Sequence, residues 1–163
     1  MNQFDEFRSC LLDHDDGSCR NINFTPLKMA DFATMVRRLF SLATDFTGHD
    51  SNGKELPFDP DAFVESITLS DSSHGVLKNV AGVFSQLQIF AWLVEGGLSV
   101  ELTFFPEELI SATDPLFALV EFLTELCREI DITEYYVRYE NAGWQFGETG
   151  PESGVIFTRS RVS

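Results

Sequence analysis

The sequence predicts an α+β fold in which an antiparallel sheet of about six strands carries two long helices packed on one face. Two segments repeat apolar residues at three- and four-residue spacing, and several others alternate apolar and polar residues. Short turns separate consecutive predicted strands, and such turns can join only antiparallel neighbours. With 163 residues the chain can bury a substantial core, so we expect a single globular domain over residues 1–163.

Each of the two long helices is predicted to begin at a capping residue followed by proline. Thr25-Pro26 and Asp114-Pro115 have this pattern, since Thr and Asp accept a helix N-terminal amide and proline suits the first helical position. The first helix is expected to end at Gly48 and to bury Met29, Phe32, Ala33, Val36, Phe40 and Ala43. The second helix is expected to bury Leu116, Leu119, Val120, Leu123, Leu126, Cys127 and Ile130.

The strands are expected in two groups of three. The first group comprises residues 62–70 and a hairpin over 83–106, where Gly96-Gly97 suits a tight primed turn. The second group comprises 135–140, 144–146 and 154–159. Residues 1–12 are expected to form a helical turn or an edge strand.

The charge of the chain is strongly negative and uneven. The net charge is −15, and the segment from Glu55 to Cys127 holds twelve acids against one base, Lys78, a balance of −11. From Tyr135 onward, three acids balance three arginines. Nucleic acid and anionic membranes would be repelled, so neither is expected as a partner. The charge predicts a basic protein partner.

The sequence gives no sign of export or of a catalytic centre. No apolar run approaches the length needed to span a bilayer, and the first residues lack a signal peptide, so a cytoplasmic location with reduced cysteines is expected. Cys10, His14 and Cys19 lack zinc-site spacing and a fourth ligand. All three histidines, His14, His49 and His74, lie in segments expected to be loops. We therefore expect no metal, no cofactor and no catalytic residues.

In size, acidity and α+β character the chain resembles the bacterial immunity proteins that neutralise polymorphic or contact-dependent toxins. Many of these are single acidic domains that bind a basic toxin domain and block its active site. The resemblance implies an antitoxin that acts by stoichiometric binding rather than as an enzyme. Two alternatives remain open: a nucleic-acid mimic that inhibits a DNA- or RNA-binding protein, and a small enzyme or ligand-binding domain with a histidine in a deep pocket.

The candidate partner-binding residues are acids on elements whose apolar sides face inward. They are Asp59 and Asp61 at the start of the first predicted strand, Glu107 and Glu108 after the hairpin, and Glu121 and Glu125 on the second helix. Tyr136 and Trp144 are secondary candidates as aromatic anchors, unless a second layer of the protein covers them. An exposed strand edge within 135–160 would allow either a monomer or a homodimer.

Overall fold

The computed structural model describes residues 2–13, 17–140 and 143–163. Its strands are β1 Arg20–Phe24, β2 Asp45–Asp50, β3 Glu55–Leu56, β4 Ser72–Val80, β5 Phe84–Val94, β6 Gly97–Phe104, β7 Tyr135–Tyr139 and β8 Val155–Thr158. Its α-helices are α1 Gln3–Leu12, α2 Met29–Leu42, α3 Pro60–Ser70, α4 Pro115–Leu126 and α5 Arg159–Val162. Two short 3-10 helices, Pro106–Glu108 and Pro151–Ser153, are also present.

The strands form an antiparallel sheet in the order β3-β2-β4-β5-β6-β1-β7-β8. The predicted antiparallel sheet is confirmed, but the described residues form eight strands rather than about six. The helix count was also too low, because α1 and α3, with 10 and 11 residues, pack beside the long helices α2 and α4. None of the described helices combines the length and the apolar character needed to span a bilayer.

A continuous apolar core lies between the sheet and the helices. Along the central strands every second side chain points into this core, among them Ile22, Phe24, Ile89, Val100 and Leu102. The helices contribute residues that include Phe32, Met35, Leu39, Phe63, Leu119 and Leu123. Each large side chain removed from water in this way stabilises the fold by about 1.5–3 kcal/mol, so this core accounts for the packing of the helices on one sheet face.

Residues 62–70 form most of helix α3 and not the predicted strand. The helix begins after Asp59, whose carboxylate accepts the backbone amide of Asp61 at 3.0 Å, and Pro60 occupies its first position. The strand was predicted because two serines lie on the buried face and interrupt the helical repeat of apolar residues. Ser66 and Ser70 donate to backbone carbonyls of the helix, which lets them be buried there. The buried positions have helical spacing: Phe63, Ser66, Ile67 and Ser70.

Helix α2 is shorter than predicted at both ends. It begins at Met29 rather than at Pro26 because Leu27 exchanges two backbone hydrogen bonds with Leu98 of β6, both 2.8 Å long. Met29 is consequently exposed instead of buried. The helix ends at Leu42, and the segment that was expected to continue it enters β2.

Strands β2 and β4 were missed because their contact depends on two glycines. Gly48 of β2 lies opposite Gly75 of β4, and the ring of Phe46 covers both. A Cβ atom on Gly75 would lie 2.1 Å from that ring, which no real contact allows. A stretch rich in glycine and polar residues therefore pairs as a strand, because the neighbouring phenylalanine supplies the apolar cover.

Several other predictions are confirmed, and one further strand prediction is wrong. The β5–β6 hairpin turns at Gly96-Gly97, where both residues have positive φ. Helix α4 begins at Pro115, and the Asp114 carboxylate accepts the amide of Leu116 at 3.0 Å. Strands β7 and β8 lie within the predicted 135–140 and 154–159, whereas 144–146 is not a strand. The N-terminal segment is a helix, α1.

Strand β1 lies in the middle of the sheet, between β6 and β7, and all five of its residues are buried. Its first residue, Arg20, has 0% exposure and a guanidinium group that donates to backbone carbonyls. One of these is the carbonyl of Cys10, 3.0 Å from Nη2, and another is that of Asp13. The guanidinium also lies 4.3 Å from the ring centre of Tyr139. Arg20 thus ties the end of α1 to the centre of the sheet.

Replacing Arg20 with methionine is expected to lower the free energy of unfolding by roughly 2–4 kcal/mol, because buried carbonyl groups would lose their charged donor. Urea unfolding followed by circular dichroism measures this change. Arg37→Met is the matched control, since its ion pair with Asp61 is exposed and should contribute less than about 1 kcal/mol. Equal stability losses in the two variants would contradict the assigned role of Arg20.

Candidate functional site

The predicted acids at 59 and 61 lie at the beginning of helix α3, not at the start of a strand. Asp59 caps the helix, and Asp61 lies 3.3 Å from the Nε atom of Arg37 on α2. Both partners of this ion pair are well exposed, so solvent screens their interaction. The two carboxylates remain accessible, but each already has a local role.

The acids at 107 and 108 lie in the short 3-10 helix that follows β6. The Glu108 carboxylate accepts the backbone amide of Phe105 at 2.9 Å and so stabilises this turn. Glu107 is exposed, and in the part of the chain that the structure describes it forms no ion pair. Of this pair, Glu107 is the better placed for an external contact.

The acids at 121 and 125 lie on the exposed side of α4, four residues apart. Like charges at this spacing destabilise a helix slightly, and carboxylates near a helix C-terminus face the negative end of its dipole. Helix α4 has no basic residue in its last turn, and Arg38 of α2 instead donates to the Leu126 carbonyl at 3.1 Å. Glu125 has an exposed partner in Arg128 at 3.5 Å. Both carboxylates are exposed, and Glu121 forms no ion pair with any residue that the structure describes.

The two aromatic candidates lie on the sheet face opposite the helices. Tyr136 is 5% exposed and packs beneath Trp144, with ring centres 5.1 Å apart. Trp144 in turn lies 4.5 Å from the guanidinium of Arg138. Trp144 is half-buried and can contact a partner, whereas Tyr136 supports it from below. The eight predicted residues are therefore divided between two faces of the molecule.

A buried polar network lies under Trp144 and was not foreseen from the sequence. Arg138 donates to Asn23 at 2.8 Å and lies 3.5 Å from the Glu101 carboxylate, and Asn23 also donates to Glu101 at 3.0 Å. Burial lowers the pKa of Arg138 and the charge of Glu101 opposes that shift. This network orders the sheet face below the 143–150 segment.

Two of the three histidines lie on strands and not in loops, which corrects the prediction. His49 of β2 and His74 of β4 are paired neighbours on the open sheet face, and His14 lies outside the described residues. His74 stacks on Phe90 with ring centres 4.0 Å apart, and its Nε2 lies 3.3 Å from Gln88. Burial lowers the pKa of His74. The adjoining hollow of about 550 Å³ is wide and shallow, unlike the deep pocket that a small-molecule site needs.

Two of the three thiols are buried and have raised pKa values. Cys10, Cys19 and Cys127 are free thiols, and burial raises the pKa of both Cys19 and Cys127 to about 11. A thiol with such a pKa stays protonated at neutral pH and is a poor nucleophile. Among the described residues, no group of three or more metal-ligating side chains is close enough to hold an ion.

A solved structure shares this fold. A chain in the 1.75 Å crystal structure of the toxic C-terminal tip of CdiA from Pseudomonas aeruginosa in complex with immune protein superimposes with a TM-score of 0.62. The match covers 87% of this chain and 94% of that chain, at 12% sequence identity. The likeness is one of fold. No protein-family model matches the sequence, and no curated protein matches it.

The lowered pKa of the partly buried His74 predicts a pH-dependent contribution to stability. Its pKa in the folded protein is below the ordinary value of 6.5, so its favourable contribution is complete above pH 6.5 and is lost as the pH falls through the lowered pKa. His74→Phe keeps the stack on Phe90 and removes the titrating group. As the pH falls from 7 to 5, the wild type should lose stability that this variant keeps, so the unfolding free energy of the variant should increase relative to that of the wild type. A constant difference between the two proteins across this range would contradict the assignment.

Proposed function

We propose that this protein is an immunity protein that binds a basic toxin domain and blocks its active site. The observation that carries the proposal is the shared fold with a chain from the complex of a CdiA toxin tip and its immune protein, over 87% of this sequence. The net charge of −15 supports it independently, because a strongly acidic protein attracts and orients a basic partner. The protein then acts by binding the toxin and blocking its active site rather than by catalysing a reaction.

The charge favours the role of the immune protein over that of the toxin. An acidic protein is repelled by nucleic acids and by anionic membranes, which are two kinds of target that a toxin could attack. The protonated thiols of Cys19 and Cys127 are also unsuited to nucleophilic attack. In this proposal the protein works in the cytoplasm, as one domain, against a toxin that has entered or was made there.

The proposed contact surface is centred on the exposed side of α4, where Glu121 and Glu125 are exposed one helical turn apart and Glu125 has only an exposed ion pair with Arg128. Asp59, Asp61, Glu107 and Glu108 strengthen the negative field that guides the toxin toward this side. Trp144, on the opposite sheet face, is retained as a secondary candidate contact, supported by Tyr136.

A survival assay tests the function. The C-terminal domain encoded by the neighbouring reading frame is expressed in bacteria with and without this protein, and surviving colonies are counted. We expect the domain to kill alone and this protein to restore growth at equal or greater abundance. An unrelated acidic protein of similar charge serves as the control. Killing that this protein fails to relieve, or killing by this protein itself, would overturn the proposal.

Reversing two charges on α4 tests the proposed surface. Glu121→Lys with Glu125→Lys should slow association with the purified toxin domain by roughly 10-fold at low ionic strength, because the steering field weakens locally. The unfolding free energy should change by less than about 1 kcal/mol, since a lysine near the helix C-terminus offsets the lost exposed pair with Arg128. Stopped-flow kinetics and urea unfolding measure the two effects.

The matched control reverses two other exposed acids, Glu65 and Glu95, which form no ion pair with any residue that the structure describes. Each pair of substitutions changes the net charge from −15 to −11, because every Glu→Lys change adds two units. If both pairs slow association equally, the total charge and not the α4 surface controls binding.

A further inference from the structure

An apolar groove lies beside the acids of α4, between α4, α1 and α5. It has a volume of about 350 Å³ and an almost wholly apolar lining, with one ion pair at its end. The lining residues are Phe4, Arg8, Asp114, Leu116, Phe117, Val120 and Val162. Phe117 is 68% exposed and Phe4 is 49% exposed, so two aromatic rings border the groove in contact with water.

The walls of the groove are held in place by Arg8. Its guanidinium binds Asp114 through two nitrogens, with Nε–Oδ1 and Nη2–Oδ2 distances of 3.0 and 2.5 Å, and it binds Asp5 through Nη1 at 2.7 Å. Asp114 also caps α4, and the hydrogen bond from Arg8 lowers the pKa of this carboxyl. These contacts join α1 to the beginning of α4, so the groove exists before any partner binds.

The surroundings of the groove have a negative side along α4. Glu121 follows Phe117 by four residues, one helical turn or about 6 Å along the axis, and Glu125 follows by another turn. The positive charge of Arg8 is already matched by two carboxylates. Arg161 lies on the other side, 5.6 Å from the ring of Phe7. A cation beside the groove would therefore be attracted to the α4 side.

Two exposed phenylalanines next to two exposed acids indicate a binding surface, since soluble proteins rarely leave such clustered apolar side chains in water without a partner. A second copy of this chain is a poor occupant. A symmetric contact would bring the same acidic patch of α4 from both copies together. A basic amphipathic segment satisfies both features, because its apolar side chain fills the groove while its cations meet the acids.

We infer that this groove, with Glu121 and Glu125 beside it, receives a segment of the toxin that carries an apolar side chain and, about one helical turn away, lysine or arginine. The inference rests on the proposed function and assigns a specific binding mode to it. The acids act mainly on association, which depends on long-range attraction. Phe4 and Phe117 act mainly on dissociation, because the water excluded from the groove returns only when the complex separates.

The test uses the full chain and the purified toxin domain from the neighbouring reading frame, inactivated in its own active site. Phe4→Ser with Phe117→Ser should increase the dissociation rate roughly 10-fold or more and leave the association rate and its salt dependence unchanged. Glu121→Lys with Glu125→Lys should instead slow association and leave the dissociation rate unchanged. Leu69→Ser on α3 is the matched control, because Leu69 is 72% exposed and lies away from the groove.

Three outcomes separate the inference from the proposed function. If the toxin domain binds the wild type and the phenylalanine variant with equal lifetimes, the groove is not the contact, although the immunity function stands. If the toxin domain does not bind the wild type, the proposed function fails and the inference fails with it. The third outcome comes from sedimentation of the chain alone. If the wild type is a dimer and Phe4→Ser with Phe117→Ser makes it a monomer, the groove is the site of self-association instead.

Discussion

The fold depends on the five residues of β1, which join two parts of the sheet. Strands β3, β2, β4, β5 and β6 lie on one side of β1, and β7 and β8 lie on the other. Its apolar residues Ile22 and Phe24 enter the core, while Asn21 and Asn23 point to the opposite face and bond Thr103 and Arg138. Arg20 ties the same strand to α1. One short strand therefore links the core, the polar face and the N-terminal helix.

The two faces of the sheet bury different kinds of side chain. The helical face buries the apolar core and presents acids and exposed phenylalanines on the outer sides of α1 and α4. The opposite face buries polar groups instead, with Arg138 beneath Trp144 and Glu101 beside it. Among the residues proposed for partner binding, Asp59 and Glu108 also stabilise local turns, whereas Glu121, Glu125 and Phe117 are exposed on α4. We therefore expect substitutions on α4 to separate effects on binding from effects on stability.

Sequence patterns succeeded where one element alone determines its structure. The Gly96-Gly97 turn, the Asp114-Pro115 cap and the apolar face of α4 were all recognised, since each depends on local backbone or helical preferences. Sequence patterns failed where contact with a residue distant in sequence decides the local structure. Ser66 and Ser70 are buried in α3 because they find hydrogen bonds there, and Gly48 and Gly75 form a strand pair because Phe46 covers them. Likewise, β1 shows no clear alternation of apolar and polar residues, because Arg20, Asn21 and Asn23 are all buried.

Composition and local periodicity were enough to predict the antiparallel α+β character, the concentration of acids between Glu55 and Cys127 and a basic partner. Only the tertiary structure showed that the candidate acids and Trp144 lie on different faces, that Tyr136 is buried, and that Phe4 and Phe117 border one groove. Phe4 and Phe117 are 113 positions apart, and the packing of α1 beside α4, with the ion pair between Arg8 and Asp114, brings them together. Contacts between such distant positions are decided by the packing of whole elements, which no local pattern encodes.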